Sequence, residues 1–156
     1  MARVLMPPAT VPDDGFAVFL AGSLEMGQAI DWQRQLGDAL SDLEELLVLN
    51  PRRDDWDASW VQSVDNPPFR EQVSWELAGL ERAQLVVMYL APTTKAPISL
   101  LELGLCARTG RLVVCCPDGY WRKGNVDVVC QRYQVPQVDS LQQLEGEIRR
   151  RYEAVR

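Results

Sequence analysis

The sequence predicts an α/β fold: a doubly wound, mostly parallel, five-stranded sheet flanked by helices. Short apolar runs at residues 16–21, 46–49, 85–91 and 112–116 lack polar alternation, as strands buried on both faces do. Segments of helical period separate them, and strands alternating with helices in one chain build a parallel sheet. At 156 residues, 47% hydrophobic and 24% charged, the chain suffices for one domain with a real core. The expected arrangement is flavodoxin-like or Rossmann-like, with ligands bound beyond the carboxyl ends of the strands.

Taken in order, residues 1–15 carry three prolines and two aspartates and read as a loose N-terminal arm, ahead of a domain over 16–156. The first strand, 16–21, ends at Gly22-Ser23, where small residues permit a tight turn and close ligand approach. A helix is expected over 29–40, with Ile30, Leu36, Ala39 and Leu40 inward beside Trp32 or Gln33. The strand at 46–49 stops at Asn50-Pro51. Residues 52–69 read as a long loop, and long loops in compact domains are usually functional or disordered. Two tryptophans and several charges argue against disorder. The next helix spans 69–83 with Val73, Leu77 and Leu80 on one face. The strand 85–91, a loop at 92–97 and a helix from Ser99 to about Thr109 follow. After the strand 112–116, a polar loop leads to a short helix at 126–130 and an edge strand at 135–138. Ser140 then caps a final helix, 141–154, whose apolar face is Leu141, Leu144, Ile148 and Tyr152.

The net charge of −6 and pI near 4.7 argue against a broad surface for DNA or RNA. No apolar run is long enough to span a bilayer, and the N-terminus lacks a signal-peptide pattern, so a cytoplasmic protein is expected. Cys106, Cys115, Cys116 and Cys130 have no C-x-x-C spacing and read as reduced core thiols. With no histidine in the chain, no metal site or cofactor is expected. Carboxylates are left as the main acid–base groups.

Glu102 is the only charged residue in 96–107, and a carboxylate in such surroundings is normally paired, capping or functional. Ser99-Leu100-Leu101-Glu102 fits a capping box. The same carboxylate, at the rim beyond the central strand, could instead attack a sugar carbon. Glu76 would by itself be a solvated helix residue, yet glycosyl chemistry needs a second acid to protonate the leaving base. Asp54, Asp55 and Asp57 could bind sugar hydroxyls or simply be solvated. Trp56, Trp60 and Trp75 could stack on a base or fill the core.

Several motifs then occur in order: Phe19-Leu20-Ala21-Gly22-Ser23, Asn50-Pro51-Arg52-Arg53 with Asp55-Trp56-Asp57, Gln72 to Leu77, Ser99 to Gly104, and Gly124-Asn125-Val126-Asp127. Together, over roughly residues 16–135, they resemble the nucleoside 2-deoxyribosyltransferase-like family. The resemblance implies transfer of a 2-deoxyribosyl group from a deoxynucleoside to another nucleobase, or to water, through a covalent ester on Glu102. It places Glu76 as the acid. Phe19, Gly22, Ser23, Asn50, Arg53, Asp55, Trp56, Asp57, Ser99 and Asn125 would contact the substrate. Asn125 matches an asparagine that reaches a neighbouring subunit's sugar, which implies a homo-oligomer, a dimer or larger. Phe19 stands where the known transferases have Tyr, and residues 94–98 replace a Gly-rich loop. Phe19 and that loop favour a catalytically silent nucleotide-binding or sensor module. Lys95 would favour a deoxynucleoside 5′-monophosphate hydrolase.

Overall fold

The computed structural model describes residues 1–24, 30–53 and 59–156. Six parallel strands form one sheet: β1 (Arg3–Leu5), β2 (Ala17–Gly22), β3 (Leu47–Leu49), β4 (Leu85–Tyr89), β5 (Leu112–Cys115) and β6 (Gln137–Val138). Their spatial order is β1-β3-β2-β4-β5-β6. Among the described residues four helices connect the strands from β2 onward, α1 (Trp32–Ala39), α2 (Pro67–Arg82), α3 (Pro97–Cys106) and α4 (Lys123–Tyr133), and a fifth, α5 (Leu141–Ala154), follows β6. The doubly wound α/β expectation holds, with one strand more than expected.

That strand comes from the segment read as a loose arm. Arg3, Val4 and Leu5 pair with Leu47, Val48 and Leu49, and the Asn50 N–H donates to the Leu5 carbonyl at 2.9 Å. Trp75 Nε1 holds the Ala9 carbonyl at 2.8 Å, and the Arg82 guanidinium holds those of Pro12, Asp14 and Gly15. The arm is therefore ordered by backbone pairing and by two side chains far along the chain. Neither leaves a local hydrophobic pattern.

Within β2, Ala17, Phe19 and Ala21 face one way while Val18 and Leu20 face the other, and all five are fully buried. The first set packs with residues of α2, α3 and α4. The second packs with Trp32, Leu36 and Leu40 around α1, and with Leu144, Ile148 and Tyr152 of α5. Ser140 caps α5 as expected, accepting from the Gln143 N–H at 3.1 Å. On α1, Trp32 and Gln33 are both buried, whereas Ala39, and Ile30 ahead of the helix, turn outward. Residue 29 lies outside the described set.

Two helix readings need correction, and both concern the rim. On α2 the inward positions are Gln72, Gly79 and Leu80, with Trp75 and Glu76 half-buried, while Val73 and Leu77 are exposed. Leu80 faces inward as the apolar period predicts; Val73 and Leu77 do not, because Gln72 and Gly79 hold inward positions. α3 begins at Pro97, preceded by Ala96 in the left-handed conformation (φ 47°, ψ 56°), with no side-chain cap. A proline suits the first helical position, so Ser99 is already inside the helix and caps nothing. The capping box is not formed. No described helix is long and apolar enough to cross a membrane.

Candidate active site

The chain leaves β2 for β3 on one side and returns to β4 on the other, so the winding reverses between β2 and β4. Open α/β sheets bind ligands in the crevice at such a reversal, beyond the carboxyl ends of the strands. Gly22-Ser23 closes β2 there, residues 90–96 leave β4, and α2 and α3 flank the crevice.

The rim is held by a knot of hydrogen bonds centred on Ser23. Gly22 has φ +132°, and a Cβ on it would stand 2.2 Å from the Tyr89 carbonyl oxygen, so only glycine fits between β2 and β4. The Ala91 N–H donates to Ser23 Oγ at 2.9 Å, and Thr94 Oγ1 donates to the Ala91 carbonyl at 2.9 Å. Thr94 has one hydroxyl hydrogen, already committed, so in the 2.6 Å contact Ser23 donates to Thr94. The Ser23 carbonyl accepts from Trp32 Nε1 at 3.0 Å and Gln33 Nε2 at 3.3 Å. Ser23 is wholly buried. In this structure Gly22 and Ser23 shape the crevice.

Beyond β3, Asn50 is buried and its Oδ1 accepts from the Arg52 N–H at 3.0 Å, turning the chain. Arg52 lies against Gln33 and Asp31, and Arg53 pairs with Glu71 at 2.9 Å and lies 5.2 Å from the Trp60 ring. Asp55, Trp56 and Asp57 lie outside the described residues. Phe19 is fully buried, its ring lying where a Cβ on Gly79 would stand and 6.2 Å from that of Trp75.

Across the crevice stand two carboxyls. Glu102 is 8% exposed in the second turn of α3, on the buried face it shares with Ser99 and Cys106. Among the described residues it has neither a hydrogen-bond partner nor an ion pair, yet its oxygens still reach solvent. Burial pushes its pKa up to about 8, and the charge of Glu76 adds to the shift. Glu76, from α2, is pushed up to about 7 by burial, and a hydrogen bond from Gln72 opposes the shift. Its Oε2 accepts from Gln72 Nε2 at 3.3 Å, while the same nitrogen donates to the Pro51 carbonyl at 2.8 Å.

Of the residues singled out in the sequence, Gly22 and Ser23 close β2, Phe19 is buried within it, and Glu76 on α2 and Glu102 on α3 couple electrostatically, with Ser99 on the same buried face as Glu102. Asn125 stands apart. It is exposed on α4 and lines a groove of about 450 Å³ with Pro97, Leu100, Gly104 and Trp121. Gln72 and Thr94 fall within the stretches 72–77 and 94–98 quoted from the sequence, without a role of their own there. The signal for Gln72 was a glutamine one helical turn before Glu76, at an inward position a core would give to an apolar residue.

Two carboxyls that burial raises, on the helices flanking the winding reversal of an α/β sheet, mark a candidate site for carboxylate chemistry on a small ligand. A model of the family described as nucleoside 2-deoxyribosyltransferase-like matches residues 15–120, more than half the chain, and the protein belongs to that family. Residues 124–127, including Asn125, lie past the matched range. No curated protein sequence gives a match.

Proposed function

We propose that the protein cleaves the N-glycosidic bond of 2′-deoxynucleosides and passes the 2-deoxyribosyl group to another nucleobase or to water. The observation that carries this reading is Glu102, a buried carboxylate without a described cation, facing a second raised carboxyl. The Glu102 oxygen attacks the anomeric carbon, the carbon–nitrogen bond breaks with its electron pair to the base, and Glu76 gives that base its proton. In the second half an acceptor base or water attacks the carbon and releases the ester. Glu76 takes the proton back, and two inversions retain the configuration.

This chemistry needs Glu102 ionised and Glu76 protonated, and burial raises both above the ordinary carboxylate range. Positive charge developing on the sugar in the transition state favours the Glu102 anion and shifts the proton to Glu76. Activity should therefore be bell-shaped in pH. It should fall on the acid side as Glu102 protonates and on the alkaline side as Glu76 loses its proton.

Incubation with each 2′-deoxynucleoside and a second free base, beside Glu102→Ala, tests the reading by chromatography. Base exchange abolished by the substitution supports a transferase, and free deoxyribose without exchange supports a hydrolase. No turnover, with ligand-induced thermal stabilisation retained, would replace both with a binding module. A 5′-monophosphate substrate is favoured by Lys95 in the loop before α3, whose Nζ lies 5.4 Å from the Trp121 ring, with Arg122 at the start of α4 lying 4.4 Å from the same ring.

The proposal includes a homo-oligomer. Ile98, Leu101 and Leu105 expose an uncharged stripe along α3. Two copies can meet across such a stripe without burying a charge. Sedimentation as a dimer or larger is expected, and a strictly monomeric active protein would remove the role of Asn125 in a neighbour's site.

A further inference from the structure

The amide of Gln72 has no freedom of orientation. Its nitrogen lies 2.8 Å from the Pro51 carbonyl oxygen, which can only accept, so an amide turned the other way would set oxygen against oxygen. Gln72 is 7% exposed and its own Oε1 has no hydrogen-bond partner among the described residues. The side chain thus endures an unmet acceptor in the interior, a cost that needs an explanation. With one amide hydrogen committed to Pro51, the other is directed at Oε2 of Glu76, 3.3 Å away. A protonated carboxyl accepts best through its carbonyl oxygen, so the oxygen facing Gln72 becomes the C=O and the other carries the proton.

We propose that Gln72 is a positioning residue for the acid: anchored by the Pro51 carbonyl, it holds Oε2 of Glu76 as an acceptor and leaves Oε1 to carry and deliver the proton. The catalytic half of this inference rests on the function proposed above. After Oε1 gives its proton to the departing base, the Gln72 N–H remains to stabilise the carboxylate that is left. Gln72 so counters the burial that would otherwise make Glu76 too weak an acid near neutral pH. Among the described residues, Glu102 on α3 is a charged group whose field couples with Glu76. Arg53, on the loop after β3, is engaged with Glu71, and Arg52 lies against Asp31.

The test is a carboxyl-carbon NMR titration of the ligand-free protein with Gln72→Met and Gln72→Leu, together with pH–rate profiles. Neither substituted side chain donates a hydrogen bond or adds a charge, and the second offers a different apolar shape in case the first does not fold. In either variant the Glu76 midpoint should rise by roughly half a pH unit or more. The alkaline limb of activity should move up by the same amount, with kcat lowered about tenfold and KM little changed. A Glu76 midpoint that stays or falls in a variant melting like the wild type overturns the inference, with or without turnover. A raised midpoint in a chain that turns over no deoxynucleoside or deoxynucleotide supports the Gln72–Glu76 coupling and overturns the functional reading beneath its catalytic half.

Discussion

The two faces of the sheet treat carboxylates in opposite ways. On the side of α1 and α5 the interior is built from Trp32, Leu36, Leu40, Leu144 and Ile148, and the acids stay outside with cations. Arg149 binds Asp42 at 2.7 Å and Glu145 at 2.9 Å, and its hydrogen bond holds Asp42 below its ordinary pKa. On the side of α2 and α3, Glu76 and Glu102 turn inward without a described cation, and burial raises both. Folding alone would favour the first arrangement, because an unpaired carboxylate in low dielectric is costly to ionise. The second is a cost borne at one place, the crevice where the sheet reverses its winding. Such departures from good packing are where function is to be sought.

Substitutions on the two sides should separate these roles. Glu102→Gln should lower turnover about 10⁴-fold or more, measured as released base, while the fold persists. The same variant should alter the pH dependence of stability. A raised folded-state pKa means the folded chain holds its proton longer, so the stabilisation is complete below the unfolded value near 4.5. It is lost as pH rises towards about 8. Denaturant melts across that window should show the wild type losing on the order of a few kcal/mol that Glu102→Gln retains. On the other face, Leu144→Ala should cost about 3 kcal/mol at every pH through the cavity it leaves, with turnover of the folded fraction unchanged. Glu76→Gln should reduce kcat about 10²-fold and remove the alkaline limb of the pH profile.

The smallest expected effect lies just ahead of α3, the helix that carries Glu102. Ala96 holds a left-handed backbone that costs a non-glycine residue about 1 kcal/mol. The preceding carbonyl, that of Lys95, is clamped by Tyr120 Oη at 2.5 Å and Trp121 Nε1 at 2.9 Å. Ala96→Gly should therefore raise stability by up to about 1 kcal/mol, read from the thermal midpoint. A loss of stability would show that the alanine side chain, 6% exposed, contributes more by packing than its backbone costs.

The sheet was legible because its central strands are unbroken apolar runs, and such runs lie at their positions whatever packs on them. The terminal helix was legible from Ser140 and the spacing of Leu144, Ile148 and Tyr152. The first strand was hidden because three residues contribute backbone pairing and little else. Glu102 stood out as a lone charge among apolar neighbours. The structure removes the capping explanation by starting α3 at Pro97. Around Glu76 the helical period misled, since Val73 and Leu77 resemble a core face while the inward slots hold Gln72 and Glu76. The Ser23–Thr94–Ala91 knot could not be read, for it joins residues 68 and 71 positions apart through single hydroxyls.

The central claim is that Glu102 forms the covalent bond to the sugar. Acid quench during turnover of a 2′-deoxynucleoside, followed by digestion and mass spectrometry, measures it most directly. The account predicts one deoxyribosyl group on the peptide containing Glu102, absent from Glu102→Gln. A chain that consumes substrate while carrying the sugar elsewhere, or carrying none, would contradict it.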